Sequence, residues 1–100
     1  METLIEQKRG QLTDRIREKS NELLGYKITQ QELRLLPYLQ YVMVNEQRID
    51  PNRINADERK ILSKWREAGH IEGGASGLAM TKEFWDIITE LIFLGYVDLT

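Results

Sequence analysis

Asn55-Ala-Asp-Glu-Arg-Lys-Ile-Leu-Ser-Lys-Trp-Arg-Glu-Ala-Gly-His-Ile-Glu-Gly-Gly-Ala-Ser-Gly-Leu-Ala-Met80 spells a helix followed directly by a hairpin. Asn55 is a helix-capping residue type, and Glu58 makes the start a close relative of the capping box. In that motif the cap oxygen accepts an orphan N–H and the carboxylate reaches back to the cap's own N–H. At 100° per residue, Ile61, Leu62, Trp65 and Ala68 form the apolar stripe of a helix over 56–68. Arg59, Lys60, Lys64 and Arg66 flank its solvent side. Gly69 is placed to stop that helix. Residues 70–80 then read as a β-hairpin, with short strands at 70–72 and 78–80 around a Gly-rich tip.

Moving outward, the cap recurs every 26 residues, at Thr29, Asn55 and Thr81, with Thr29-Gln-Gln-Glu32 a capping box. Apolar positions recur with it: Leu35, Ile61 and Ile87; Leu36, Leu62 and Ile88; Leu39, Trp65 and Leu91. The last two segments also end alike, in Gly69-His-Ile-Glu72 and Gly95-Tyr-Val-Asp98. That ending predicts a glycine stop and a third short strand over 96–99. We read the regularity as architecture rather than ancestry. In the helix expected over 82–94, Phe84, Trp85, Ile87, Ile88, Leu91, Ile92 and Leu94 fill half the circumference, as a central core helix requires. The helix expected over 30–44 has a wide apolar arc, and Pro37 falls on its polar side, where it bends the helix without ending it. Arg48 to Ile54 is a connector with its corner at Pro51-Asn52.

The first 25 residues are a charged, helix-prone segment, with a helix expected over 3–24. Ile5, Leu12, Ile16 and Leu23 form a thin apolar stripe, interrupted at the remaining heptad positions by Arg9 and Lys19 and followed by Gly25. So narrow a stripe has to pack on something. The rest of the domain serves, and so does a second copy, which would make a homodimer through residues 1–24. The chain therefore divides into an N-terminal charged helix over 1–25, a candidate pairing arm, and a compact domain over 26–100.

The fold class is mainly α within α+β: four helices and a small sheet made of the hairpin plus a third strand. The order helix 30–44, connector, helix 56–68, hairpin 70–80 resembles the end of a winged-helix domain with the hairpin as its wing. The run from Ile54 to Ile71, with Thr81-Lys-Glu-Phe-Trp85 and Gly95-Tyr-Val-Asp98, resembles small uncharacterised accessory proteins carried by bacteriophages and prophages. That similarity spans the chain from about residue 30 onward. It implies an accessory role and brings no catalytic residues with it.

Composition narrows the chemistry. One hundred residues make a single domain, and 41% hydrophobic with 30% charged residues is an ordinary globular balance. A net charge of −2 supplies no bulk field to draw the chain to nucleic acid or an anionic membrane. Zero cysteines remove disulfides, thiolate nucleophiles and cysteine-ligated metals, and a single histidine removes His-rich sites. The N-terminal ten residues lack the apolar core of a signal peptide, and Leu91 to Val97 falls far short of the ~20 apolar residues a membrane helix needs. A cytoplasmic protein without a membrane partner is the expectation.

Gly73-Gly-Ala-Ser-Gly77 has glycines but not the Gly-Lys-Ser/Thr close of a phosphate loop, so it reads as a hairpin tip. His70 stands where the following segment has Tyr96, which marks it as a half-buried packing residue. Asp57/Glu58 and Glu83/Asp86 sit in first helical turns, where the helix dipole explains them. No catalytic, cofactor-binding or metal residues are assigned, no cofactor is expected, and the chain does not read as an enzyme. Two functions stand. In the first, the protein is a small accessory or regulatory module acting by protein–protein contact. Tyr41 and Phe93, large aromatics among polar neighbours, are its candidate anchors. In the alternative it is a winged-helix DNA-binding regulator using helix 56–68 and hairpin 70–80, with contacts from Arg48, Arg53, Arg59, Lys60, Lys64 and Arg66.

Overall fold

The computed structural model describes residues 9–98. Each of the three recurring caps opens a helix. Thr29 Oγ1 accepts the Glu32 N–H at 3.2 Å, and Glu32 Oε1 accepts the Thr29 N–H at 2.8 Å, opening helix α2 (Gln30–Asn45). Asn55 and Glu58 repeat this exchange at 2.8 and 2.9 Å, opening α3 (Ala56–Glu67). Thr81 accepts the Phe84 N–H at 3.0 Å and opens α4 (Lys82–Ile92). A fourth cap, not foreseen, is Thr13, which opens α1 (Asp14–Leu24). Gly25 and Gly69 close α1 and α3 at φ of +84° and +83°, a left-handed conformation that costs glycine little. Helix α2 runs through Pro37, and a short 3-10 turn (Pro51–Arg53) forms at the expected corner.

The 26-residue register carries the core. Leu36, Leu62 and Ile88 are buried, as are Leu39, Trp65 and Leu91; Leu35 and Ile87 are buried too, while Ile61 is half-buried. Helix α4 packs against both α1 and α2, and α3 packs against α2 and the hairpin. The Trp65 and Phe84 rings, 5.3 Å apart and tilted by 59°, tie α3 to the start of α4. Besides Ile61, two expected core residues differ. Ala68 is exposed, because it caps the end of α3 where the chain turns outward at Gly69, and Trp85 is only partly buried.

The hairpin pairs β1 (Ile71–Gly74) with β2 (Gly77–Met80) in antiparallel register, Ile71 opposite Met80 and Gly74 opposite Gly77, leaving Ala75-Ser76 as the tip. At Gly73, φ is +80° and a side chain would run into the Gly77 carbonyl oxygen. The connector after α2 is fastened to this tip: the Ile49 N–H donates to Gly74 O at 2.9 Å and the Leu78 N–H to Gln47 O at 2.7 Å.

The two ends of the chain depart from expectation. No strand forms within 96–98; instead α4 runs on into a π-helical turn (Phe93–Val97), so the sheet has two strands among the described residues. Gly95 serves close packing rather than a helix stop. It is buried, and a Cβ there would come within 3.3 Å of Leu33 Cδ1 and 3.7 Å of Ile16 Cδ1. Its carbonyl accepts the Gly10 N–H at 2.8 Å. Among the described residues the first helix begins at Asp14, and residues 9–13 of the expected helix are not helical, because the chain turns at Gly10 (φ +75°) and the Leu12 N–H donates to Gln30 Oε1 at 2.8 Å. Ile16 is fully buried, and Leu12 and Leu23 pack on the same core. Of the two coverings expected for the stripe, the rest of the domain takes Ile16 fully and Leu12 and Leu23 in part. Ile5, and whatever residues 1–8 do, lie outside the described residues. Among the described residues no helix is long and apolar enough to cross a membrane.

Candidate functional site

Helical geometry sorts the six basic residues into two groups. Arg59, Ser63 and Arg66 recur along one side of α3 and line a cleft with Pro51 of the connector and Ala75 of the hairpin tip. Arg59 Nη2 donates to Pro51 O at 3.2 Å, and Arg66 Nε donates to Gly73 O at 2.7 Å. An adjoining cleft shares Ile49, Pro51 and Ala75 and adds Arg48, Glu46 and Asp50. Arg53, in the 3-10 turn, lies 3.9 Å from Asp50. The structure therefore brings Arg48, Arg53, Arg59 and Arg66 together around the connector and hairpin tip. Lys64 falls on the opposite side of α3, toward α2, where Gln31 also donates to Asp57 at 3.4 Å, and Lys60 stands on the outermost strip between the two sides.

Lys64 is already occupied. Its Nζ lies 2.7 Å from Glu32 Oε2 and 4.2 Å above the centre of the Tyr26 ring. Glu32 is only 1% exposed, and besides Lys64 and the Thr29 N–H it accepts the Tyr26 hydroxyl at 2.9 Å. Tyr26 in turn accepts the Trp65 indole N–H at 2.8 Å. Burial and the neighbouring Glu32 raise the Tyr26 hydroxyl pKa, against the hydrogen bond from Trp65. Burial alone would lower Lys64, but the bond to Glu32 and its charge outweigh it and hold the ammonium above its ordinary value. The sequence reading gave Glu32 only its capping role. The rest of the network joins residues on separate elements, which no local pattern reports.

Tyr41 and Phe93 are 51% and 48% exposed, and each has an aliphatic companion one turn along: Val44 and Val97, both 66% exposed. The structure does not bring the two aromatics together. The last turn of α4 meets the start of α2, through Gly95 and Leu33, whereas Tyr41 lies about 12 Å further along α2, toward the hairpin end. Val97 was hidden by its assignment to a strand; Val44 was legible as the helical neighbour of Tyr41.

His70 is half-buried and lies flat on Phe84, with ring centroids 4.5 Å apart and planes 8° from parallel. Burial lowers its pKa, against a smaller opposing pull from Glu83. Among the described residues no group of three or more His, Asp or Glu side chains is placed to hold a metal ion. Comparison with protein-family models, with curated proteins and with solved structures finds no match.

Proposed function

We propose that the protein is a small non-enzymatic accessory module that acts by protein–protein contact, with Phe93 and Val97 as its anchor. The observation that carries this reading is an apolar pair standing in solvent on the π-helical turn that continues α4, the helix whose other face closes the core. Fully burying an exposed phenylalanine is worth roughly 1.5–3 kcal/mol, and about half of that is left to gain at Phe93. Neighbouring aromatic and aliphatic side chains of this kind are what interface centres use. The absence of cysteine and the stacking of the single histidine on Phe84 suit a binding rather than a catalytic role. The resemblance to phage and prophage accessory proteins points the same way.

DNA reading by the outward face of α3 has less behind it. Lys64 is spent on Glu32, and the outermost strip of Lys60, Ser63 and Glu67 carries both signs of charge.

The test is capture from nuclease-treated extracts of the native cell on immobilised protein, comparing wild type with a Phe93→Ser/Val97→Ser variant. The expected result is a partner retained by wild type and weakened tenfold or more in the variant, whose melting temperature barely moves. Equal retention by both proteins overturns the reading, as does a melting temperature several degrees lower, which would make the pair part of the core.

A further inference from the structure

Going beyond protein contact, and independent of it, we infer that the arginine edge beside the hairpin tip binds the sugar–phosphate backbone of duplex DNA. Arg48, Arg53 and Arg59 are its phosphate-contacting residues and Arg66 is a positioning residue.

Three elements bring these side chains to one place. Arg48 follows α2 and Arg59 lies in the first turns of α3, and the clefts these two border share Ile49, Pro51 and Ala75; Arg53 ends the 3-10 turn beside them, 3.9 Å from Asp50. Every cation that lines this edge is arginine; Lys64 is turned toward α2 and Lys60 outward, and neither borders the clefts. A guanidinium presents a planar fork that pairs with a phosphate through two parallel hydrogen bonds and stays charged throughout the physiological range.

The local charge differs from that of the whole molecule. Arg48, Arg59 and Arg66 line the two clefts with the carboxylates Glu46 and Asp50, and Arg53 stands beside Asp50 at 3.9 Å, giving a small positive excess on a chain of net charge −2. Asp50 is partly committed, since its Oδ1 accepts the Asn52 N–H at 3.0 Å. Local patches of this kind bind polyanions even when the net charge is negative.

The edge is also held in place. The Arg66 bond to Gly73 O fixes the tip against α3, and the Arg59 bond to Pro51 O lays its guanidinium along the connector. The connector is itself hydrogen-bonded to both strands of the hairpin. Ala75 and Ser76 at the tip are small and exposed, so nothing bulky keeps a duplex from the arginines.

An acidic protein is the rival occupant, and the edge suits it less. Ile49 is buried and Ile54 half-buried, and the exposed apolar residues left at the edge, Pro51 and Ala75, are small, so no aromatic or large aliphatic anchor stands ready for the centre of a protein interface. Phosphate contact needs none.

The test is fluorescence anisotropy of a labelled mixed-sequence duplex with the full chain, across about 50 to 200 mM salt. Wild type should bind, more weakly as salt rises. The triple variant R48Q/R53Q/R59Q should lose tenfold or more in affinity at the lowest salt, and its slope of log affinity against log salt should be about two to three units shallower, close to one per lost phosphate contact. R48K/R53K/R59K should keep most of the binding, which separates lost charge from lost folding, and Lys60→Gln should stay within twofold of wild type. The inference is overturned if wild type fails to bind at the lowest salt or if the glutamine triple binds as wild type does. It is overturned equally if Lys60→Gln costs as much as the triple, or if a poly-glutamate peptide competes as well as unlabelled duplex.

Discussion

The Glu32 carboxylate is shared by a backbone N–H, a tyrosine hydroxyl and a lysine ammonium, yet solvent barely reaches it. A buried charge keeps its place only while its partners do. Lys64→Met should therefore destabilise the fold by about 1–3 kcal/mol, held below a fully buried pair because the lysine is half-exposed and solvent screens it. Lys60→Met, one turn before it on the outermost strip of α3, should stay within about 0.5 kcal/mol. Urea denaturation followed by tryptophan fluorescence measures both, since Trp65 belongs to the network. His70 makes a pH prediction. Burial lowers its folded pKa below the unfolded value of 6.5, so the unfolded chain takes up the proton first as pH falls. Its contribution is complete above the unfolded value and is lost as pH drops through the folded one. Melting temperature should thus fall more steeply for wild type than for His70→Tyr between about pH 7 and pH 5. Parallel curves would show that His70 contributes no such dependence.

Among the elements, those written locally were legible and those decided by distant neighbours were not. Thr29, Asn55 and Thr81 each start a helix because a cap and its third neighbour settle the matter within one turn. Gly95 looked like Gly69 in its local setting, but its role is set by Leu33 and Ile16, and these turn an expected strand into a helical turn. The candidate site divides likewise. The arginines could be named from sequence, whereas their gathering on one side of α3 depends on how the connector meets the hairpin tip. At that tip, Gly73→Ala would place a side chain at a left-handed φ and against the Gly77 carbonyl. It should cost about 1–3 kcal/mol or more, and hydrogen exchange at the Ile49 and Leu78 amides should quicken as the connector loosens. Unchanged exchange at those amides would detach the connector from the hairpin.

For the whole molecule, the question is whether α1 belongs to the domain or stands apart from it. Ile16 is fully buried, and Ser20 accepts the Ile28 N–H at 3.0 Å, which locks α1 to the loop before α2. Ile16→Ala should cost about 2–5 kcal/mol in denaturant unfolding, as a core truncation does. A loss below about 1 kcal/mol with a lower native mass would instead make α1 a pairing element. The fastening at the other edge of the molecule has its own consequence. Gly10 donates to Gly95, and Arg15 Nη2 lies 2.8 Å from Asp98 Oδ2, so the chain enters and leaves the domain at one place. A short Gly/Ser tether from Asp98 to Arg9, replacing residues 99–100 and 1–8, would close a small loop at little entropic cost. The backbone could then be opened between Ala75 and Ser76, giving a circular permutant with the same core read in a new order, and its tryptophan emission should match that of the parent.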